Sequence, residues 1–160
     1  MSIDLDPKFS IYLKDLEVKK NALVQSKCIA SKKDLPPNKT KGVYYFAENN
    51  VPLYVGRSND IKDRYGRHCN QGATDNQAAF AFKLAREATG FVDASYKSGP
   101  FTRKGLMKNP DFIKAFNKAK SRLREMEFRF VVENDPLKQC LLEIYCATCL
   151  NAKYNDFDNH

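Results

Sequence analysis

Tyrosine, arginine and histidine side chains recur at short spacings in one stretch of the chain. Two β-rich runs, GVYYFA and PLYVG, carry Tyr44 and Tyr54, and the polar segment after them carries Arg64 and His68. An arginine can neutralise a phosphate, and a tyrosine or an imidazole can move a proton. Arg64 and His68 are four residues apart, so a helix would place them on one face. The pattern predicts chemistry on a phosphate ester, while aromatic packing and a structural salt bridge are the alternatives for each residue alone.

The second run ends in two residues that suit a phosphate group. Gly56 has no side chain, and such a position before a helix N-terminus lets a phosphate approach the backbone closely. Arg57 follows it directly and supplies a cation. We therefore count both residues as candidate substrate ligands.

One carboxylate, Glu143, stands in an apolar segment late in the chain. Its neighbours in CLLEIYCATC are mostly apolar, which predicts a helix that is buried on nearly all sides. A carboxylate in such a helix is costly unless a cation accompanies it. The cation could be Arg64 or a metal ion, and Mg²⁺ is typically held by one carboxylate together with waters and a substrate phosphate. Glu143 is the candidate ligand for Mg²⁺ or Mn²⁺.

Periodicity and turn residues predict the elements that must position these side chains. GVYYFA and PLYVG predict a hairpin with ENNV as its turn, and EFRFVV alternates as a third strand. Helices are predicted from the Ser58–Asp60 cap to Cys69, over NQAAFAFKLAREATG, over PDFIKAFNKAKSRLREM and after the Asp135–Pro136 cap. The expected fold class is α+β, in α/β/α layers, with a small three-stranded, mainly antiparallel sheet flanked by helices.

Two segments lie outside this sheet-bearing core. Residues 9–25 show an imperfect helical stripe, and Pro36 and Pro37 then interrupt a lysine-rich stretch. Residues 1–40 are therefore predicted to be an N-terminal helical extension and linker. Residues 41–160 would form the main domain, with a basic helical insertion at about 90–126.

Positive charge predicts a polyanionic partner. The formal net charge is +8, and nine lysines and arginines face one acid, Asp111, between Lys97 and Arg124. Ordinary exposed helices interleave both signs, so this run favours contact with a phosphate backbone over a merely solvated face. Lys118, Arg122 and Arg124 are the residues expected to hold that backbone. The nine cations are Lys97, Arg103, Lys104, Lys108, Lys114, Lys118, Lys120, Arg122 and Arg124.

The candidate residues resemble the GIY-YIG nuclease superfamily over roughly residues 41–155. The triplets Gly42-Val43-Tyr44 and Tyr54-Val55-Gly56 match the two that give the family its name. Arg64 matches the family's helix arginine, His68 matches a histidine found in several of its branches, and Glu143 matches its metal-binding glutamate.

This resemblance implies a metal-dependent endonuclease that acts on nucleic acid, with one Mg²⁺ or Mn²⁺ ion on Glu143. DNA rather than RNA is the substrate that we expect. It implies that Tyr44 is the base for water, directly or through a relay, and that Tyr54 orients Tyr44 or the phosphate. Arg64 would neutralise charge at the phosphorus. His68 would assist proton transfer or hold a phosphate oxygen.

The family also has a downstream asparagine, for which the chain offers two matches. Asn155 in KYN is the better one, because a small or apolar residue often lies just before the family asparagine, and Asn151 is the competing choice. Asn155 is therefore carried forward as a candidate substrate-binding residue.

Two other function classes stay open on the sequence. A non-catalytic nucleic-acid-binding module could have kept the scaffold but would not need Glu143, and a protein-interaction domain could meet an acidic partner with its basic face. No apolar run approaches the ~20 residues of a membrane span, so no membrane partner is expected. Five cysteines, an odd number, predict reduced thiols in a cytoplasmic protein, with CATC as core packing rather than a metal or redox pair.

Overall fold

Two asparagines reverse the chain between the first two strands of the sheet. The protein is described by a computed structural model that covers residues 4–91 and 99–157. Strand β1 spans Gly42–Glu48 and strand β2 spans Val51–Ser58. Asn49 and Asn50 between them have φ of 53° and 62°, the left-handed pair that a type I′ hairpin turn requires. The predicted hairpin with its ENNV turn is confirmed.

The third strand completes a sheet in which β1 is central. Strand β3 spans Glu127–Val132, and the strand order is β2-β1-β3 with both pairings antiparallel. Every residue from 42 to 47 of β1 is buried. Since alternate side chains of a strand point to opposite sides, β1 must be covered on both faces. The sheet, together with the helices, confirms the predicted α+β class.

Seven α-helices and one short 3₁₀ turn accompany the sheet in the described ranges. The helices are α1 Pro7–Leu13, α2 Leu16–Gln25, α3 Ile61–Cys69, α4 Ala79–Thr89, α5 Arg103–Leu106, α6 Pro110–Glu125 and α7 Pro136–Cys149, with the 3₁₀ turn at Lys32–Asp34. Asp135 caps α7, and Gly90 ends α4 with φ of 78°, both as predicted. The stripe predicted over residues 9–25 forms two helices, because the backbone leaves the helical conformation at Asp15.

The chain divides into two compact units, one of Met1–Lys62 with Glu127–His160 and one of Asp63–Met126. The first unit contains the sheet with α1, α2 and α7, and the second contains α4, α5, α6 and most of α3. The predicted segments 1–40, 41–160 and 90–126 include residues 1–3, 92–98 and 158–160, which lie outside the described residues. Their boundaries stay a prediction.

The core of the first unit includes a residue of the N-terminal helices. Leu23 of α2 is fully buried and packs in one cluster with Val43 of β1 and with Leu142 and Cys146 of α7. Burial raises the pKa of the Cys146 thiol to about 12, so Cys146 acts as a small apolar core side chain. Its partner in the CATC motif, Cys149, is exposed.

Aromatic residues of α4 and α6 form the core of the second unit. The ring centroids of Phe82 and Phe112, both buried, lie 5.0 Å apart. Lys120 of α6 is 2% exposed, and its ammonium group donates hydrogen bonds to the backbone carbonyls of Gln71 and Ala73. Burial lowers the pKa of Lys120. Lys120 therefore links α6 to the loop before α4 and does not add to the charge at the surface.

Leu23→Ala should destabilise the first unit, because removing a fully buried leucine side chain loses apolar burial and leaves a cavity, at a typical cost of about 2–5 kcal/mol. Val18 on the same helix is 67% exposed. Val18→Ala is therefore the matched control, with an expected change within about 0.5 kcal/mol. Urea unfolding followed by circular dichroism measures both. Equally small effects would show that α2 is a detachable extension.

Candidate functional site

Glu143 and Arg57 form an ion pair on the first unit. The Arg57 Nε atom donates to Glu143 Oε2 at 3.0 Å, and the two side chains are 46% and 22% exposed. The prediction that α7 is buried on nearly all sides is wrong, because some of its apolar residues, including Leu137 and Ile144, face solvent. The Glu143 carboxylate is therefore within reach of ligands from solvent.

The ion pair opens into a cleft at the end of β2. The cleft has a volume of about 340 Å³ and is lined by Arg57, Ser58, Asn59, Gln139 and Glu143. Gln139 is buried, and its amide nitrogen donates to the Glu133 carbonyl at 2.8 Å. The cleft therefore presents a carboxylate and a guanidinium.

These donors fit a divalent cation that is held by one carboxylate. Among the described residues that line the cleft, Glu143 alone carries a carboxylate. Within residues 4–91 and 99–157, no group of three or more His, Cys, Asp or Glu side chains is arranged to hold a metal ion, so that part of the chain forms no closed protein cage. Mg²⁺ keeps most of its waters and binds through one or two carboxylates and a substrate phosphate. The partly exposed Glu143 fits this mode.

Tyr44 and Gly56 face each other across the hairpin. The β1–β2 register pairs them, and Tyr44 is fully buried. A Cβ atom added to Gly56 would lie 2.4 Å from the Tyr44 hydroxyl oxygen, so a side chain at this position would collide with the tyrosine. Glycine at position 56 therefore makes room for Tyr44, a reason that differs from the phosphate access predicted for it.

The observed register separates the two tyrosines by one diagonal step. Tyr54 pairs with Phe46, so Tyr44 and Tyr54 are diagonal neighbours on one face. The residue directly opposite Tyr44 is Gly56. The hairpin register also shifts between the pairs of Phe46 and Ala47, where a bulge inserts one extra residue into β2.

Strand alternation puts the tyrosines and the ion pair on opposite faces of the sheet. Both tyrosines and Gly56 share one face, whereas Arg57 lies on the same face as Val55. Val55 belongs to the cluster that packs against α7, the helix that carries Glu143. The structure therefore brings Arg57 and Glu143 together but leaves the tyrosine hydroxyls on the other side of β2.

Asn155 acts as a clamp on the backbone of β2. Its Oδ1 atom accepts from the Val55 N–H at 2.7 Å, and its Nδ2 atom donates to the Val55 carbonyl at 2.8 Å. Both ends of the amide are committed to the edge of the strand. Asn151, the competing match, is exposed and has φ of 50° after the end of α7. The geometry gives Asn155 the role of positioning the YVG run.

Arg64 and His68 lie one turn apart on α3, within the second unit. Burial lowers the pKa of His68 to about 3, and the Arg64 cation lowers it in the same direction. His68 is therefore a neutral imidazole at pH 7, which does not attract a phosphate as a cation. Arg64 is partly buried, and its Nη1 atom donates to the Gln77 carbonyl at 3.4 Å.

The basic run divides into surface charges and internal ones. Arg103 forms an ion pair, Lys120 is buried, and Lys97 lies outside the described residues. Lys118 and Arg122, two of the predicted backbone contacts, are four residues apart on α6 and share one face. The exposed members in the described part of the run are Lys104, Lys108, Lys114, Lys118, Arg122 and Arg124.

Comparisons with known proteins assign no family to this chain. No protein-family model, no curated protein and no solved structure matches it. The likeness of the two triplets to the GIY-YIG nucleases therefore stays a prediction from the residues themselves. Within the described ranges, no helix combines the length and the apolar character that crossing a bilayer requires.

His68→Gln should make the free energy of unfolding less sensitive to acid. The folded pKa of His68 lies below its ordinary value, so the unfolded chain takes up a proton that the folded chain does not as the pH falls below about 6.5. The wild type should lose about 2 kcal/mol more than the variant between pH 7 and pH 5. Urea unfolding of both proteins across this pH range measures the difference. Parallel pH profiles would contradict a buried, neutral His68.

Asn155→Ala should cost about 1–3 kcal/mol, because it leaves the N–H and the carbonyl of Val55 without their partner. Asn151→Gly is the matched control, since a positive φ suits glycine, and its effect should stay within about 0.5 kcal/mol. Thermal and urea unfolding measure both variants. Similar losses for the two asparagines would argue against the clamp.

Proposed function

We propose that the chain is a metal-dependent endonuclease that hydrolyses phosphodiester bonds of nucleic acid, with DNA as the expected substrate. One observation carries the proposal: a cleft in which the Arg57 guanidinium and the Glu143 carboxylate lie 3.0 Å apart, both reachable from solvent. A carboxylate beside a guanidinium can receive a divalent cation and the phosphate on which that cation acts. The net charge of +8 supports a polyanionic substrate.

Arg57 can bind a phosphate without leaving its place. Its Nε atom is held by Glu143, and the two terminal nitrogens of the guanidinium remain as donors. Guanidinium donors match phosphate oxygens in pairs. The ion pair therefore orients the side chain, and a phosphate would bind at its outer edge. Asn155 supports this position through its clamp on Val55, two residues before Arg57.

Glu143 would hold the cation in this cleft. When bound, Mg²⁺ or Mn²⁺ supplies positive charge to the scissile phosphate and to the leaving oxygen. Glu143 would therefore act on both ligands, by ligating the cation and by orienting Arg57 towards the phosphate.

The roles implied for the tyrosines depend on how water reaches them. Tyr44 is fully buried, which favours a relay over direct contact with water. Tyr54 is partly exposed on the same face of the hairpin, and it is the group that could connect Tyr44 to solvent. In the second unit, the low pKa of His68 makes it neutral and weakly basic at pH 7, which favours neither cationic phosphate binding nor proton uptake.

A non-catalytic nucleic-acid-binding module is the second candidate. It is favoured by the separation of the two tyrosines from Glu143, since the former lie on the opposite face of the sheet. In such a module Arg57 would contact phosphate, and Glu143 would serve only to orient Arg57. Cleavage in the presence of a divalent cation separates the two candidates.

Glu143→Gln should abolish cleavage while nucleic-acid binding is kept. The substitution removes the charged ligand for the cation with almost no change of shape, and we expect a loss in rate of at least ~10²-fold. Cleavage is measured on plasmid, flap and branched DNA with Mg²⁺ or Mn²⁺, against a blank with EDTA. Binding is measured by filter retention in EDTA.

Glu127→Gln is the matched control for this experiment. The Glu127 side chain is 28% exposed and lies 3.7 Å from the Arg129 guanidinium, on the same unit. It therefore loses the same charge and a comparable ion pair, and it should cut at the wild-type rate. A Glu143→Gln protein that cuts normally removes Glu143 from the site. A wild type that binds DNA but cuts none of these substrates establishes the second candidate.

A further inference from the structure

Among the residues that the structure describes, the charged side chains lining one cleft of the second unit are all cationic. It lies between the start of α5 and the start of α6 and has a volume of about 590 Å³. Its lining residues are Gly99, Pro100, Thr102, Lys104, Gly105, Lys108 and Asn109. None of these seven is acidic, and Asp111, the next acid along the chain, is not among them. The volume is in the range of sites that hold a small ligand or one group of a larger ligand.

The two lysines of this cleft are available to a ligand. Lys104 and Lys108 are exposed, and neither forms an ion pair or a side-chain hydrogen bond with any residue in 4–91 or 99–157. Arg103, next to them, is committed elsewhere: its Nη1 atom donates to the Asp75 carbonyl at 2.6 Å and lies 3.5 Å from the Asp75 carboxylate. The positive charge of the cleft is therefore not balanced by an acid in the described chain.

The walls of the cleft are fixed by short-range contacts. The Thr102 hydroxyl accepts from the Gly105 N–H at 3.0 Å and donates to the Gly99 carbonyl at 2.8 Å. A Cβ atom added to Gly105 would lie 2.3 Å from the Gly99 carbonyl oxygen, so this close packing requires glycine. A preformed site loses little conformational entropy when its ligand binds.

Asn109 adds a neutral donor to the two ammonium groups. Its Oδ1 atom accepts from the N–H groups of Asp111 and Phe112 at 2.9 and 3.1 Å, so its amide NH₂ is the end that it can offer to the cleft. The lysine ammonium groups are also donors without acceptors. Three donor groups, with no acidic side chain among the described lining residues, suit a ligand that has only acceptors and carries negative charge, which describes a phosphate.

We propose that this cleft is a phosphate-binding site and that it holds a phosphodiester of the nucleic-acid strand. Lys104 and Lys108 together neutralise the negative charge of the phosphate, and the Asn109 amide donates a hydrogen bond to a phosphate oxygen. The preference for phosphate rests on the cleft alone. The assignment to nucleic acid rests on the proposed function, and a free phosphate compound is the other source of the same chemistry.

Phosphate binding is tested on the full chain by NMR. Inorganic phosphate should shift the backbone amide signals of residues 99–109, and sodium chloride at equal ionic strength should not. The double variant Lys104→Gln/Lys108→Gln should lose these shifts. The control Lys32→Gln/Lys33→Gln removes the same charge from exposed lysines of the first unit and should keep them. A wild type whose signals in this segment do not respond to phosphate overturns the site.

The assignment to nucleic acid is tested by the salt dependence of duplex DNA binding, measured in EDTA. Each phosphate contact contributes about −0.9 to the slope of log K against log salt. The Lys104/Lys108 double variant should flatten the slope by about 1–2, while the Lys32/Lys33 control should leave it at the wild-type value. Circular dichroism checks that both are folded.

The outcomes of the two measurements are separable. Phosphate could shift the amide signals of the wild type while the double variant keeps the wild-type salt slope of DNA binding. That result would overturn the assignment to nucleic acid and leave a site for a free phosphate compound. A wild type that does not bind DNA at all would contradict the proposed function, and the NMR titration would still decide whether the cleft binds phosphate.

Discussion

The burial of β1 on both faces is the constraint on which the arrangement of the functional residues depends. Alternate side chains of this central strand enter different sides of the sheet. Tyr44 therefore packs against Phe128, with ring centroids 5.3 Å apart, while Val43 joins the cluster on α7. Since β2 pairs with β1, alternate side chains of β2 also lie on the two opposite faces of the sheet. The Tyr44 and Tyr54 side chains lie on one face of the hairpin and the Arg57–Glu143 ion pair lies on the other.

Local signals in the sequence were sufficient to predict the helices and strands, but not the register in which the strands pair. The strand alternation, the asparagine turn, the Asp135 cap and the Gly90 end are each encoded within a few residues, and the structure confirms them. The pairing of Tyr44 with Gly56 depends on where the turn and the bulge fall. The hydrophobic pattern does not specify that position when almost every residue of the strand is buried.

The partners of the candidate residues could not be predicted because they come from distant parts of the chain. Arg57 and Glu143 are separated by 86 residues, and Val55 and Asn155 by 100. Residue type alone indicated that Glu143 needs a cation, and only tertiary packing supplies Arg57. Lys120 shows the opposite case: its charge was counted with the surface run, but two backbone carbonyls hold it inside the second unit.

The Arg57–Glu143 ion pair is better suited to binding ligands at its two members than to stabilising the fold. A pair of this exposure typically contributes about 0–1 kcal/mol, so little of the fold depends on it. Under the proposed function, a phosphate at the outer edge of Arg57 weakens its attraction for Glu143, and the carboxylate gains charge to offer to a cation. A cation on Glu143 in turn leaves more of the guanidinium charge for the phosphate. Because such coupling is reciprocal, each ligand strengthens the binding of the other, and the ion pair is the resting state of a site that needs both.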